Sequence, residues 1–503
     1  HKRVLLLEAE LLISSFKEQA GFVRELEAVF ANTVHAGNII LVVKSAESLT
    51  GGAVRFGVDI AELLTPFLNS PALHLVLLSS REAYNQMISG GSKLLPLFET
   101  LSVEPLSPED LVQTLSQGIR DIERRYFVTF TYQAIVAIGE SVERYLATQD
   151  TEDKVFDVAL EIIPWIRKQG RATITRNDIL TFVSEKTGIP LGPISEKEKM
   201  VLLKLEQLLA EDVVGQGTAL IRIAEALRRN RAQLGNKDRP IGSFLFLGPT
   251  GVGKTETAKA LACILFGNAE HMHRFDMTEF AGGDGLARLI GTRERSGLLA
   301  SALRKESYAV LLLDEFEKAS EEIRNLFLQI LDEGIFHEGS GTRVNARNTI
   351  IIATSNAGAE HLWWLADEGK IIEDERESII AGIIHDGYFR PELINRFDAV
   401  IFFSPLSFEM RTEIAAHLVA SLTRELKNQG ITLLASDALT EVIAHSGDER
   451  EWGARPMKRF MQDKIESVIA QKKIAGELIA GASIRFSMSE SGFVLIPEII
   501  SAS

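Results

Sequence analysis

Apolar and polar positions follow two rhythms along this chain. Largely apolar runs of five or six residues recur at Ile39–Val43, Leu73–Leu78, Ser243–Leu247, Ala309–Leu313 and Thr349–Thr354. The last three predict strands buried on both faces, as in a parallel sheet covered by helices. Stretches with helical spacing separate them, which predicts an α/β architecture. From about Ser107 to Val183 the pattern turns wholly helical. It does so again after Phe403-Ser404-Pro405. There Ser407 is the expected N-cap, Ile414, Leu418, Leu422 and Leu426 share one helix face, and Gly430 ends the run. The segment from Thr187 to Pro193 is a turn-rich joint, followed by a charged helix expected over Glu196–Ala210. The order is therefore core, lid, core, lid: 1–106 and 107–195, then 196–404 and 405–503.

Composition narrows this little. With 503 residues the chain is long enough for roughly three to four domains. The formal net charge of −15 disfavours a nucleic-acid partner, since binding to a phosphate backbone leans on surplus Lys and Arg. No apolar run approaches the roughly 18 residues of a membrane span. The single cysteine, Cys263, allows no internal disulfide and suits a reducing compartment, the cytoplasm or an organelle's matrix or stroma. It falls within an apolar helical pattern, so a buried, inert thiol is expected. The chain opens on His1-Lys2-Arg3 without a methionine or signal-peptide pattern and reads as starting inside a domain. His271-Met272-His273 has no acid or cysteine at ligand spacing, so a solvated loop is expected there rather than a metal site.

The chemistry concentrates in the second core. Gly248-Pro249-Thr250-Gly251-Val252-Gly253-Lys254-Thr255 lies between the apolar strand Ser243–Leu247 and a helical pattern, Glu256–Phe266. Strand, glycine-rich loop and helix are the context of a phosphate-binding P-loop. Its backbone N–H groups and the helix N-terminus suit a triphosphate. Lys254 is expected on the β- and γ-phosphates and Thr255 on Mg²⁺. Leu311-Leu312-Leu313-Asp314-Glu315 is an apolar strand ending in two acids, a Walker B pattern. Asp314 is expected to hold Mg²⁺ through its water shell, and Glu315 to polarise the attacking water. Asn356 ends another strand, where it is expected to orient that water. Arg396 and Arg455 carry permanently ionised, forked guanidinium groups suited to phosphoryl oxygens.

Together these pieces resemble the Clp family of AAA+ unfoldases. The matching segments are Val213–Gln216, Arg239–Glu256, Leu311–Ala319, Asn348–Asn356, Phe389–Asp398 and Gly453–Arg459, spread over roughly residues 200–490. The resemblance implies two tandem AAA+ modules, each a parallel-sheet P-loop-type α/β core with a small helical lid. It implies ATP and Mg²⁺ as cofactors and a ring, a homo-hexamer or one mixed with a related subunit. Asn356 would be the sensor-1 residue, Arg396 an arginine finger acting on the neighbour's nucleotide, and Arg455 the sensor-2 arginine of the lid. Val213 and Val214 would lie near the adenine. Pro249, Thr250, Gly251, Val252, Gly253, Lys254, Thr255, Asp314 and Arg455 complete the expected nucleotide site.

The first half departs from the family. Lys2–Leu5 and Phe22–Phe30 match a region downstream of a P-loop, and the loop itself is not in the sequence. Ile39–Val43 matches a Walker B strand, yet Lys44-Ser45 follows where Asp-Glu is expected. A lysine cannot bind Mg²⁺ and a serine cannot replace the glutamate. Leu94–Phe98 lacks the family's paired arginines. This half is expected to fold and not to hydrolyse ATP. The aromatic pore loops that grip substrate are also missing. Leu289–Leu299 carries no aromatic, Glu18 stands at the pore-tyrosine position of the first module, and Phe16 is out of register. No long coiled-coil insertion interrupts the first lid, and no Ile-Gly-Phe or Ile-Gly-Leu peptidase-docking loop lies between Asn356 and Phe389. The adjacent tryptophans of His361-Leu362-Trp363-Trp364-Leu365 suit either a partner interface or a helix packed on its own domain. Two functions remain: an ATP-driven protein-remodelling machine with one live module, or a scaffold or regulatory subunit that threads nothing. A nucleic-acid motor is a distant third.

Overall fold

The structure, a computed structural model, describes residues 2–16, 19–55, 57–80, 83–84, 87–88, 92–103, 108–145, 151–187, 196–232, 238–292, 295–447, 453–489 and 492–500. Contacts divide the chain into two units. One holds 1–105 with the loops 291–297 and 338–342, and the other holds the rest.

In the first unit, β1 (Arg3–Leu7), β2 (Ile39–Val43) and β3 (His74–Leu77) form a parallel sheet in that order, with Leu5, Leu41 and Leu75 in register. Helix α1 (Gln19–Ala36) buries Phe22, Leu26 and Phe30, a four-residue spacing that makes one face. Helix α2 (Ile60–Leu68) starts at Asp59, whose carboxylate accepts the Ala61 N–H, and buries Ile60, Ala61 and Leu64. These residues and Leu41, Val43 and Leu49 form the unit's core. The outer strand β1 leaves Val4, Leu5 and Leu6 exposed. Beyond β2, Lys44 is exposed and the Ser45 hydroxyl accepts the Ser48 N–H, capping the helix that follows, Ala46–Arg55. Phe16 packs against this core. Lys17 and Glu18 lie outside the described residues.

The second unit begins with a helical cluster: α3 (Pro108–Tyr126), α4 (Tyr132–Tyr145), α5 (Thr151–Lys168) and α6 (Arg176–Thr187). Leu115, Ile138, Ile162 and Val183 are among its fully buried side chains. The helical pattern does not announce a parallel pairing of two residues each, β4 (Thr129–Phe130) with β5 (Thr173–Ile174). The turn-rich joint at 188–193 lies outside the described residues. The expected helix over Glu196–Ala210 is two helices, Glu196–Leu203 and Leu205–Asp212, broken at Lys204 (φ −109°, ψ 12°). Helix α7 (Gly217–Arg231) follows.

The main sheet has five parallel strands in the order β12 (Ala399–Phe402), β6 (Gly242–Leu247), β11 (Ile350–Ser355), β8 (Val310–Asp314), β7 (Met272–Asp276). Every residue of β6, β8 and β11 is buried, and β9 (Ile335–His337) and β10 (Arg343–Asn345) pair antiparallel in a separate two-stranded sheet. Alternate residues feed two cores. Leu245, Leu247, Leu311, Leu313 and Ile351 face one; Phe244, Phe246, Val310, Leu312 and Ile352 face the other. This two-sided burial is why these strands read as largely apolar runs. Helix α8 (Lys254–Phe266) follows β6, and α9 (Leu298–Lys305), α10 (Glu321–Glu333) and α11 (Ala359–Asp367) add side chains to these cores.

Helix α12 (Phe408–Asn428) starts where the Ser407 hydroxyl accepts the Met410 N–H, and it buries Ala415, Val419, Leu422 and Leu426. Gly430, at φ +77°, ends the run in the left-handed region. Helix α13 (Asp437–His445) packs on it. A small sheet of β13 (Thr432–Leu434), β14 (Ser483–Ser489) and β15 (Gly492–Ile500) joins this expected helical lid.

Two local expectations are corrected. Cys263 is exposed: α8 turns Leu261 and Ala262 inward, and the next residue of the apolar run faces solvent. His271 and His273 do not sit in a solvated loop. His271 ends a short 3₁₀ turn and His273 lies in β7, where the Glu306 carboxylate reaches both rings, at 3.5 and 3.2 Å. Among the described residues no group of three or more His, Cys, Asp or Glu is arranged to hold a metal ion. In α11, Leu362 and Leu365 enter the core. Trp364 is half exposed, with the Lys370 ammonium 4.5 Å from its ring centroid.

Candidate nucleotide site

The P-loop runs between the C-terminal end of β6 and the first turn of α8. Gly253 stands before α8 at φ +109°, a conformation a side chain resists. The loop is held from outside by Gln216, which is buried. Its amide donates to the Val252 carbonyl at 3.1 Å and to the Ser404 carbonyl at 3.0 Å, and its oxygen accepts the Ser404 N–H at 2.9 Å. Gln216 was visible only as part of a motif; the contacts that explain it lie far along the chain. Val213 and Val214 are buried beside it.

Lys254 is buried at the head of α8. Its ammonium donates to the carbonyls of Gly248, Pro249 (3.1 Å) and Ser355 (3.0 Å), and to Asn356 Oδ1 at 2.7 Å. Burial pushes its pKa down to about 8, against the opposing pull of the Glu317, Asp314 and Glu315 carboxylates. Thr255 follows it in the first turn, partly buried.

Asp314 ends β8, in register with Asp276 of β7. One carboxylate oxygen accepts the Thr354 hydroxyl, and the other accepts Arg274 Nη2 at 2.6 Å. Glu315 is held at φ +53°, in the left-handed region, where a non-glycine residue is strained. That twist turns the chain sharply between the strand and the next turn, Phe316–Lys318. Phe316 is fully buried, with its ring 5.7, 6.0 and 6.5 Å from those of Phe327, Phe389 and Phe397. Glu317 is a site residue that sequence reasoning missed. It accepts the Asn356 N–H at 3.3 Å, and its second oxygen is buried without a hydrogen-bond partner among the described residues.

Structure thus brings Lys254, Asp314, Glu315 and Asn356 to one end of the sheet, where β6, β8 and β11 end together. The segment before α12 and the lid close around the loop. Ala454 N–H donates to the Gly251 carbonyl at 3.1 Å. Gly453 packs so closely that a Cβ there would lie 2.5 Å from the Thr250 carbonyl oxygen, and its φ is +56°. Arg455 follows, exposed at the start of a short helix and near enough to act on Lys254 electrostatically. Arg396 lies elsewhere. It follows the short helix Pro391–Ile394, and its Nη1 donates to Asp332 at 2.7 Å. Two residues on, Asp398 takes the N–H and hydroxyl of Ser243 at 2.8 and 2.9 Å, fixing the start of β6.

Oxygen donors at the loop and at the end of β8 suit a hard divalent cation. The buried lysine and the left-handed glycine suit a phosphate chain. The Glu317 carboxylate lies near enough to act on Lys254 electrostatically. The residues present therefore fit a magnesium nucleotide.

Described residues on either side of Arg293-Glu294, where the second aromatic pore loop is expected from the resemblance, are bonded to one another. Gly291 and Ser296 form an antiparallel bridge, and Thr292 N–H donates to the Arg295 carbonyl at 2.8 Å. Arg293 and Glu294 lie outside the described residues.

Residues 239–400 match the family model described as "AAA domain (Cdc48 subfamily)", and 406–486 match the "C-terminal, D2-small domain, of ClpB protein". The chain is 31% identical to the chaperone protein ClpB of Oceanobacillus iheyensis, across 99% of this chain and 70% of that protein. It is 31% identical to the negative regulator of genetic competence ClpC/MecB of Bacillus subtilis, across 98% of this chain and 70% of that one. Among solved structures it is similar to a closed-state reconstruction of Hsp104 with ATPγS and FITC casein. The TM-score is 0.73 at 26% identity, covering 99% of this chain and 86% of the other.

Proposed function

This chain belongs to the Clp family of AAA+ ATPases, nucleotide-binding chaperones, and from that premise we propose that its second core (196–404) with its lid (405–503) is the motor of an ATP-driven protein-remodelling ring. The ring is a homo-hexamer or a mixed ring with a related subunit, and the first core and lid (1–106, 107–195) are a non-hydrolysing tier. The observation that carries the reading is the convergence of Lys254, Asp314, Glu315 and Asn356 beneath a lid segment bonded to the P-loop.

In this reading Lys254 exchanges its carbonyl partners for the β- and γ-phosphate oxygens of ATP. Thr255 and Asp314 would hold Mg²⁺, which when bound offsets charge on the phosphoryl oxygens. Glu315 polarises the attacking water, and Asn356 orients it. Val213 and Val214 supply an apolar surface for the adenine. Arg455 senses the phosphates from the lid, and Arg396 serves the neighbouring subunit.

The Lys254 ammonium gives a pH prediction. ATP phosphates favour its charged form, so binding takes up a proton wherever the free protein has lost it. ATP affinity is therefore flat below about pH 8 and falls above it by up to about tenfold per pH unit, well before an ordinary lysine would titrate. Fluorescent-nucleotide titration from pH 6.5 to 9.5 measures this; a flat profile across that range overturns it.

Unfolding of a tagged, stable fluorescent protein, with ATP consumption read in the same cuvette, tests the function. Fluorescence lost only while ATP is consumed is the expected result. ATP consumed with fluorescence intact transfers support to the second reading, a non-threading scaffold or regulatory subunit. That alternative has its own observation, a sequence from Leu289 to Leu299 with no aromatic residue, in which Gly291 and Ser296 are bridged.

A further inference from the structure

Helix α10 ends on Asp332-Glu333, two acids at the helix end where unpaired carbonyls already concentrate negative charge. A carboxylate is disfavoured there unless cations offset it, and Asp332 has two. Its Oδ1 accepts Arg396 Nη1 at 2.7 Å and Arg239 Nη2 at 3.0 Å. The arginines come from distant segments, one just before β6 and one after Pro391–Ile394. The backbone around Arg396 is already fixed. Ile394 and Phe397 are buried, the Phe397 ring meets Phe316, and the Asp398 carboxylate is bonded to Ser243. The arginine side chain itself is long and 40% exposed, so a fixed backbone does not fix its guanidinium.

We infer that Asp332, with Arg239 as its second cation, is a positioning residue for Arg396. It holds the guanidinium at one place on the subunit surface, so that the finger meets the neighbour's nucleotide without a rotamer search. Pre-organisation of this kind lowers the barrier and leaves the subunit's own ATP binding unaltered. The inference rests on the proposed role of Arg396.

The test is a double-mutant cycle on the full chain, reading kcat and KM for ATP together with fluorescent-nucleotide binding. Asp332→Asn is expected to lower kcat roughly tenfold, with KM and nucleotide binding within about twofold of the parent. In an Arg396→Ala background the same change is expected to have no further effect, because nothing remains to position. An Arg396→Ala variant with parental kcat overturns the finger assignment and this inference with it. An active-site loss in Arg396→Ala alongside a parental Asp332→Asn overturns this inference alone. So does an equal loss from Asp332→Asn in both backgrounds, the mark of a merely structural role. Where Asp332→Asn fails to hold nucleotide, the cycle is run with Asp332→Glu, which moves the carboxylate by one methylene and keeps its charge. A loss confined to the Arg396 background supports the inference, and an equal loss or no loss in both overturns it.

Discussion

Glu315→Gln is expected to bind ATP as the parent does and to hydrolyse it about 10²–10⁴-fold more slowly. Glutamine keeps the shape and one acceptor oxygen, so the left-handed turn at Glu315 and the packing of Phe316 beneath it stay in place. What is lost is the negative charge that draws a proton from the attacking water. Lys254 and Asp314 are untouched, so the nucleotide still binds. The subunits are expected to accumulate as an ATP-loaded ring, visible by sedimentation and by bound ATP after gel filtration. Because Lys44 and Ser45 stand at the end of β2, where the first core would need its acids, no second site is expected to take over. Residual turnover near the parental level would show that hydrolysis does not depend on Glu315 or that the first core is live.

Strands β6, β8 and β11 and the P-loop were legible because two-sided burial leaves a plain mark, an apolar run with no polar face, whereas β7 carries His273, Arg274 and Asp276 and left no such mark. Ser407 and Gly430 were legible for a different reason, since a helix cap is decided by local backbone chemistry. Neighbours in space left no such mark. Glu306 lies far along the chain from His271 and His273, and only the packing of α9 beside β7 brings them together. Gln216, Glu317 and Asp332 are ordinary polar residues in sequence, and each acquires its meaning from a partner on another element. Cys263 misled because Ala260-Leu261-Ala262-Cys263 is apolar throughout, and a helix that buries one face must expose part of such a run. The pairing of β4 with β5 involves two residues on each side, too few to show a period.

Arg396→Ala is expected to lower kcat on the order of 10³-fold, the scale of a guanidinium that stabilises phosphoryl charge in the transition state. Arg396 sits apart from the P-loop of its own chain and instead pairs with Asp332, so its effect should be felt on another subunit's nucleotide. Mixing separates this from a local defect. Take one variant that can offer a finger but cannot bind ATP, Lys254→Ala, and one that can bind ATP but offers no finger, Arg396→Ala. Each alone is expected to be nearly inactive. Mixed rings place an intact Arg396 beside an intact Lys254 at some interfaces, so the mixture is expected to recover a measurable part of the parental rate, rising with the fraction of mixed interfaces. A residue acting within its own subunit gives no recovery at any ratio, because no single chain in the mixture is whole. Recovery in trans would also show that the subunits share a ring, which the 40% exposure of Arg396 permits and a lone chain could not exploit.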